Sequence, residues 1–239
     1  MMNVDTLSKH WEFFEKIYCI SIDARTDRRN EAKSQFSNVG LLDRVEFVIV
    51  KKHLDNCEQG IYESHMTCIE RGLQADAGNI VIFEDDVLFE RLSPAKLKRC
   101  IDFLAAKPDW SVLFFGCLVA GSERTENESV LKVKYRSLAH AYALNRKFSE
   151  VLVQKPWQNI AFDAMLGSLK DKCYAIYPAI AFQSNSSTDN ANKQRLDKFR
   201  RLLGGLMRIQ KWNERYYRHR TIIIAVHVIL ILLISLWII

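Results

Sequence analysis

The last 19 residues of the chain, 221–239, carry no charged side chain and read TIIIAVHVILILLISLWII. A helix of that length rises about 1.5 Å per residue and reaches roughly 28 Å, close to the thickness of a bilayer's hydrocarbon core. Because Ile, Leu and Val surround the helix on every side, the pattern favours lipid over a one-sided protein groove. We therefore expect a single-pass, tail-anchored membrane segment at 221–239; the alternative is a buried C-terminal core helix.

The positive charge of the chain is concentrated in the segment before this tail. Of 34 Lys and Arg and 28 Asp and Glu, ten bases and two acids lie in residues 191–220, which leaves 24 bases and 26 acids in the first 190. A nucleic-acid-binding domain would carry its own basic face, so no nucleic-acid partner is expected.

Bases alternate with apolar and aromatic residues over 195–220, as in a helix that lies at lipid headgroups. The alternative is a solvated helix face. The positive-inside tendency predicts a cytoplasmic position for the domain before this helix, at the inner membrane if the source is bacterial.

The length of the chain limits the number of domains, and its cysteines indicate the redox compartment. A chain of 239 residues allows one domain and a tail, at about 150 residues per domain. The six cysteines form no CxxC pair, which favours buried thiols in a reducing compartment over a zinc site or a disulfide framework.

Short apolar runs alternate with helical patterns through the first 135 residues, which predicts an α/β fold with a largely parallel sheet. Strands are expected at 17–22, 45–50, 80–83, 112–115 and 130–135, and helices at 28–39, 61–75 and 94–106. Ser93 before Pro94 is typical of a helix N-cap followed by proline at the first helical position.

The pattern is mixed after residue 142. Helices are expected near 146–154 and 160–169, and short strands at 174–177 and 179–182. Residues 184–190 read SNSSTDN, a polar linker. The predicted units are a domain at 1–184, a linker with a basic amphipathic helix at 185–220, and the anchor at 221–239.

Three consecutive carboxylates, Glu84, Asp85 and Asp86, follow the apolar strand in IVIFEDDV. Ligands of open α/β sheets bind at the carboxyl ends of strands. Adjacent anions raise one another's pKa unless a cation is present, and a divalent cation bridging to a diphosphate meets that need. Alternation along an extended chain would put Glu84 and Asp86 on one side and Asp85 on the other. The alternative is a solvated acidic turn.

A first strand, YCISID, leads into a charged turn that contains Arg25, Asp27, Arg28 and Arg29. Such a turn can offer backbone N–H groups and guanidinium groups to a nucleotide. The alternative is that Arg28 and Arg29 lie on the helix surface, and this is the favoured interpretation for Arg29. The sequence contains no GxGxxG and no GxxxxGK[ST] motif.

Ser64 and His65 lie within the predicted helix at 61–75. A single histidine in an amphipathic helix is more often a packing residue than a catalyst. No GxSxG surrounds Ser64, so a hydrolase nucleophile is not indicated.

Taken in order, YCISIDARTDRR, GIYESHMTCIERGL, IVIFEDDV, SLAHAYALNRK and YPAIAFQ resemble the motifs of glycosyltransferase family 25. Members of that family include lipooligosaccharide galactosyltransferases of Gram-negative bacteria and relatives of procollagen galactosyltransferase. The resemblance covers residues 17–183. Ile61 stands where the family usually has Cys, and Leu138, Ala139 and His140 stand where Gly-Thr is usual.

The resemblance implies a GT-A-like fold, a nucleotide-sugar donor that is UDP-linked, and Mn²⁺ or Mg²⁺ at an acidic motif. Asp86 and Glu84 would be the metal ligands, and Asp163 the general base of an inverting transfer. The residues implied to bind the donor are Ile22, Asp23, Arg25, Arg28, Ser64, His65, Glu84, Asp85 and Gln183.

The expected function is therefore membrane-anchored transfer of a hexose to a glycan or lipid-linked acceptor, such as lipopolysaccharide core. One alternative is a catalytically silent, membrane-tethered protein that binds nucleotide sugars or glycans. A phosphoryl-transfer enzyme has less support, because no phosphate-binding Gly loop or positioned Lys is visible.

Overall fold

The computed structural model describes residues 4–168, 172–184 and 194–238. The strands are β1 (Lys16–Ile22), β2 (Val45–Val50), β3 (Asn79–Glu84), β4 (Val87–Phe89), β5 (Val112–Phe114), β6 (Leu118–Arg124), β7 (Val130–Ser137), β8 (Ala141–Asn145), β9 (Cys173–Ile176) and β10 (Ala181–Gln183). The helices are α1 (Val4–Trp11), α2 (Thr26–Asn38), α3 (Cys57–Gln74), α4 (Pro94–Ala106), α5 (Arg146–Leu152), α6 (Phe162–Ser168), α7 (Gln194–Leu202) and α8 (Leu206–Ile238), with a 3₁₀ turn at Leu42–Arg44.

An eight-stranded sheet in the order β2-β1-β3-β8-β5-β9-β7-β6 forms the centre of the molecule. The α/β class, the five strands expected before residue 142 and the three helices between them are confirmed. The predicted N-cap is confirmed as well, since Ser93 Oγ accepts a hydrogen bond from Lys96 N at 3.3 Å.

The expectation of a largely parallel sheet is wrong. Only the pairs β1–β2, β1–β3 and β5–β9 are parallel, whereas the other four pairings of the sheet are antiparallel. The cause is β8, which enters antiparallel between β3 and β5 with Tyr142 opposite Ile82. All five residues of β8 are buried, so its sequence, AYALN, shows no alternation of apolar and polar positions that would reveal a strand.

Apolar side chains of β3 alternate between two cores on opposite faces of the sheet. Val81 and Phe83 belong to the core under α1, α2 and α4, and Ile80 and Ile82 to the core under α3, α5 and α6. Helix α1 was not predicted. Its Trp11 is fully buried, donates from Nε1 to Val39 O at 3.1 Å, and thereby joins the N-terminal segment to the first core.

The C-terminal part consists of two helices separated by Gly204 and Gly205, both at positive φ (+89° and +87°). Helix α8 runs without interruption for 33 residues. In the described part of the chain it is the one helix that is long and apolar enough to cross a membrane, judged by length and composition. The predicted linker at 184–190 lies outside the described residues, except for Ser184.

The first turns of α8 pack on the globular body. Gln210 is fully buried and donates from Nε2 to Ala181 O at 2.9 Å. Asn213 accepts from Val119 N at 2.9 Å and donates to Val119 O at 3.0 Å, so it pairs with the edge strand β6. Part of the segment predicted to lie at lipid headgroups is therefore integral to the domain.

This docking generates a stability prediction at Gly116. A Cβ there would overlap the carbonyl oxygen of Ala181 and Nε2 of Gln210. We expect Gly116→Ala to lower the free energy of unfolding by about 1–3 kcal/mol and to increase protease cleavage near residue 205. Gly121→Ala is the matched control, because its Cβ would meet only the Lys134 side chain at 3.5 Å or more. Equal unfolding midpoints for the two variants in urea would contradict the prediction.

Candidate functional site

A cleft of about 250 Å³ opens at the carboxyl ends of the neighbouring parallel strands β2, β1 and β3. This is the edge of an α/β sheet at which ligands usually bind. Its other walls are the first turns of α3, the turn at 137–140, the start of α6, and Arg200 and Leu206 from the C-terminal helices. The predicted site residues that line it are Ile22, Arg28, Ser64, His65, Glu84, Asp85, Asp86, Asp163 and Gln183.

The acidic residues follow directly from the end of β3. Asp85 and Asp86 form the turn into β4 and are 5% and 4% exposed, which excludes a solvated acidic turn. Backbone bonds from Asp85 N to Ile20 O (3.1 Å) and from Ser184 N to Asp86 O (2.8 Å) hold the turn. The expected division of the carboxylates between two sides is wrong, since the turn brings all three into one cleft.

Arg28 of α2 supplies a cation to this acidic turn. Its Nη2 contacts Asp86 Oδ2, and its Nε lies 3.4 Å from Asp85 Oδ1. Burial opposes the charged form of Arg28, but the charges of Asp86 and Asp85 outweigh this effect and raise its pKa. The Arg28 side chain is only 12% exposed, so it is a cleft residue and not a helix-surface residue.

Gln183 donates from Nε2 to Asp86 Oδ2 at 2.8 Å. The contact arises because β10 pairs antiparallel with β4 and places Gln183 opposite Val87, the residue after Asp86.

Glu84 has a different environment from the other two carboxylates. Burial, followed by the charge of Asp86, raises the pKa of Glu84 to about 8, although Arg28 and His140 act against this shift.

His65 is fully buried beside Glu84. Its Nδ1 lies 2.9 Å from the Tyr142 hydroxyl, and its Nε2 lies 3.5 Å from Glu84 Oε1. Its ring stacks on the Phe162 ring, with 4.1 Å between the ring centroids. Burial lowers the pKa of His65 to about 4, so the ring is neutral at pH 7. Ser64 donates to Gly60 O at 2.6 Å within the same helix. Both residues line the cleft, yet each also has a structural partner.

Asp163 is held at the start of α6 by three hydrogen bonds. Its carboxylate accepts from the Tyr135 hydroxyl (2.5 Å), Leu138 N (3.1 Å) and Ala139 N (3.0 Å). These bonds fix the turn at 137–140, in which Leu138 has an unusual φ of +74°. His140, the last residue of this turn, is 1% exposed and lines the cleft.

Two of the predicted donor residues lie away from the cleft. Asp23 is exposed, and Arg25 forms an ion pair with Asp27 at 3.0 Å; neither lines the cavity. Arg29 was expected on the helix surface, which is wrong. It donates to Ser21 Oγ (3.2 Å) and to the carbonyl oxygens of Ile22 and Asp23, so it fixes the loop between β1 and α2.

Sequence reasoning missed the residues that follow β2 and those of α7. Lys51, Lys52 and His53 line the cleft because β2 is parallel to β1 and ends at the same edge. The predicted strand at 45–50, combined with the rule that ligands bind at carboxyl ends, would have identified them. No local pattern indicated Arg200.

The acidic turn offers two oxygens to a divalent cation. In the part of the chain that the structure describes, no three His, Cys, Asp or Glu side chains form a group that could hold a metal by themselves. However, Asp85 Oδ2 and Asp86 Oδ1 are buried oxygens with no hydrogen-bond partner among the described residues. Such oxygens fit a hard cation that takes its other ligands from water and a bound phosphate.

No protein-family model matches the chain, and no curated protein matches it. Solved structures similar to it include A197 from STIV, with 13% identity, TM-score 0.48, and 71% of this chain and 85% of that chain covered. Mannose-1-phosphate geranyltransferase from Thermus thermophilus has 7% identity, TM-score 0.42, and 67% and 73% coverage.

A third similar structure is a glycosyltransferase involved in the glycosylation of the major capsid of PBCV-1. It has 10% identity, TM-score 0.40, and 77% of this chain and 99% of that chain covered. At these identities and TM-scores, the similarities decide neither the family nor the activity of the chain.

The buried contacts of Arg28 with Asp85 and Asp86 predict that replacing Arg28 destabilises the protein more than replacing Arg25, the residue before α2. Arg28→Gln would leave Asp85 and Asp86 without their cation, so we expect it to lower the free energy of unfolding by about 3–5 kcal/mol. Arg25→Gln removes the ion pair with the exposed Asp27 but leaves Arg28 against both aspartates, so we expect a clearly smaller loss of the free energy of unfolding than for Arg28→Gln. Urea denaturation of both variants at pH 7 measures the difference. A similarly small decrease in the free energy of unfolding for both variants would show that Arg28 does not stabilise the charged carboxylates of Asp85 and Asp86.

Proposed function

We propose that this chain is a membrane-anchored glycosyltransferase that moves a hexose from a UDP-linked sugar to a glycan or lipid-linked acceptor. The observation that supports the proposal most is the buried Asp85–Asp86 turn, with Arg28 and two unpartnered carboxylate oxygens, at the ligand-binding edge of the sheet. The order of motifs that resembles glycosyltransferase family 25 supports the same reaction class. Lipopolysaccharide core is the acceptor that the resemblance suggests.

The donor diphosphate is proposed to lie against the acidic turn. Asp85 and Asp86 would hold Mn²⁺ or Mg²⁺ through their unpartnered oxygens, with Glu84 as a further candidate ligand. When bound, such a cation neutralises charge on the departing diphosphate. Arg28 keeps the carboxylates of Asp85 and Asp86 in place, and Gln183 donates to the same oxygen of Asp86, Oδ2, that Arg28 contacts.

The proposed transfer is inverting. The acceptor oxygen bonds to the anomeric carbon, the bond from that carbon to the diphosphate oxygen breaks, and a base takes the acceptor proton. Asp163 as that base stays a prediction of the family resemblance. The three hydrogen bonds that it accepts favour a positioning role, because about one of the four acceptor positions of its carboxylate remains open.

Helix α8 is proposed to anchor the enzyme. Its described side chains from residue 221 onward are exposed or half-exposed, which suits lipid better than a protein core. The basic residues before 221 favour a cytoplasmic position for the domain. Confinement to a membrane would raise the effective concentration of the enzyme over a lipid-linked acceptor.

A catalytically silent binding protein is the second candidate. It is favoured by one observation: Arg28 already provides a cation to Asp85 and Asp86, so the cleft is compatible with a nucleotide bound without a metal. Calorimetric binding of UDP together with no turnover of any donor would support this candidate.

The enzyme proposal is tested by UDP release from a panel of UDP-sugars. We expect release with Mn²⁺, loss of release in EDTA, and a decrease of about 10²-fold or more in Asp86→Asn, since charge stabilisation of the leaving group is worth several kcal/mol. Asp27→Asn alters an exposed carboxylate near the cleft and is the matched control. Full activity of Asp86→Asn would remove Asp86 from the proposed machinery.

The anchor proposal is tested with two lysines in the apolar segment. Each lysine at a helix centre opposes insertion by about 2.5–3.5 kcal/mol, so Ile229→Lys/Leu232→Lys should not float with phospholipid vesicles in a density gradient. Leu202→Lys is the control, because Leu202 is 82% exposed and lies in α7, outside the segment. Flotation of the double variant at the wild-type level would contradict membrane insertion.

A further inference from the structure

We infer that the imidazole of His140 binds a hydroxyl group of the sugar carried by the donor. This inference rests on the proposed function and deepens it, since it assigns a sugar-contacting residue to the same cleft. His140 departs from the family motif, so the resemblance assigns it no role.

The first support is the burial of His140 without a partner. Its side chain is 1% exposed, and neither Nδ1 nor Nε2 has a hydrogen-bond partner among the described residues. Buried polar groups are nearly always satisfied, and those that are not call for a ligand, an ion or water. Because His140 lines the cleft, a bound molecule can supply the missing partner.

His65 provides the contrast within the same cleft. It is buried to the same extent, yet its Nδ1 lies 2.9 Å from the Tyr142 hydroxyl and its Nε2 lies 3.5 Å from Glu84 Oε1. Burial of a histidine in this cleft therefore does not by itself leave the ring unpartnered. The difference distinguishes His140 from a packing residue.

The second support is the order of groups along the cleft. β1, β3 and β8 are consecutive strands in the sheet. Ile22 ends β1, the acidic turn follows β3, and His140 directly precedes β8. Neighbouring strands lie about 4.8 Å apart, so His140 lies about one strand beyond the acidic turn on the side away from β1. A nucleotide near β1 with its diphosphate at the acidic turn would place the attached sugar towards His140.

The position of His140 is fixed by contacts on both sides. Its carbonyl oxygen accepts from Glu84 N at 2.8 Å, which joins it to the acidic turn. Asp163 accepts from the backbone N–H groups of Leu138 and Ala139 and so holds the turn that presents the ring. Leu138 has a φ of +74°, and strained backbone of this kind persists where the surrounding structure over-determines it.

The chemistry of the ring matches a hydroxyl group. An imidazole nitrogen either carries a proton and donates or lacks one and accepts, and a hydroxyl group can act as the partner in both cases. A diphosphate, by contrast, offers acceptors only. Sugar hydroxyl groups can therefore satisfy either nitrogen of the ring, whether that nitrogen donates or accepts.

The inference is tested with full-length protein in detergent by calorimetric titration of UDP, UDP-glucose, UDP-galactose and UDP-N-acetylglucosamine. His140→Phe should leave the affinity for UDP within about twofold and weaken the best-bound sugar nucleotide by roughly tenfold, as expected for one lost hydrogen bond to a buried group. His140→Gln retains a donor and an acceptor and should recover part of that affinity.

Thermal unfolding without ligand gives an independent measurement. His140→Phe removes an unpartnered buried polar group, and we expect its melting temperature to rise by about 2–4 °C. His65→Phe is the matched control and should melt lower than wild type, because it leaves the Tyr142 hydroxyl without its partner.

The outcomes separate the inference from the proposed function. If wild type binds none of the four nucleotides, the proposed function fails and the inference fails with it. If wild type binds them but His140→Phe weakens UDP and sugar nucleotides equally, or weakens neither, only the inference is overturned. A lower melting temperature for both His140→Phe and His140→Gln would also contradict it, because it would show that the ring stabilises the protein without a ligand.

Discussion

The buried contact of Arg28 with Asp85 and Asp86 is the interaction on which the cleft depends. It joins α2, the helix that follows β1, to the turn that follows β3. A hydrogen bond from Gln183 to the Asp86 carboxylate joins β10 to the same turn. Two buried carboxylates without a cation would be driven towards protonation, since burial raises the pKa of Asp85 even with Arg28 present. Arg28 therefore allows a charged acidic turn to exist inside the protein. The same arrangement leaves one oxygen of each aspartate without a partner, and these oxygens can meet a ligand.

The part of the site that the sequence could predict follows from local rules. An apolar strand that ends in three carboxylates places Glu84, Asp85 and Asp86 at a ligand-binding edge whatever the rest of the fold does. The parts that it could not predict depend on long-range pairing. β8 is buried on both faces and has no alternation, so neither its existence nor its antiparallel direction could be inferred. The predicted orientation of Asp85 is wrong because β3 ends at Glu84. The alternation of side chains between two faces holds within a strand and does not apply to the turn that follows.

The C-terminal helix shows the same distinction. Its apolar half was evident from composition, whereas the docking of Gln210 and Asn213 on the domain depends on tertiary contacts. Because α8 is uninterrupted, it connects the cleft directly to the apolar segment. Leu206 lines the cleft, and Ile222 begins the apolar run 16 residues later, which corresponds to about 24 Å along the helix. Under the proposed anchoring, this distance sets how far an acceptor must extend from the membrane.

The central claim is that the acidic turn holds the diphosphate of a nucleotide sugar through a shared cation. A crystal structure of the protein with UDP and Mn²⁺, recorded at a wavelength that gives anomalous signal for manganese, tests it most directly. We expect a manganese peak within coordination distance of Asp85 or Asp86 oxygens and of the UDP diphosphate. A nucleotide bound elsewhere, or one in the cleft whose phosphates lie away from both aspartates, would contradict it.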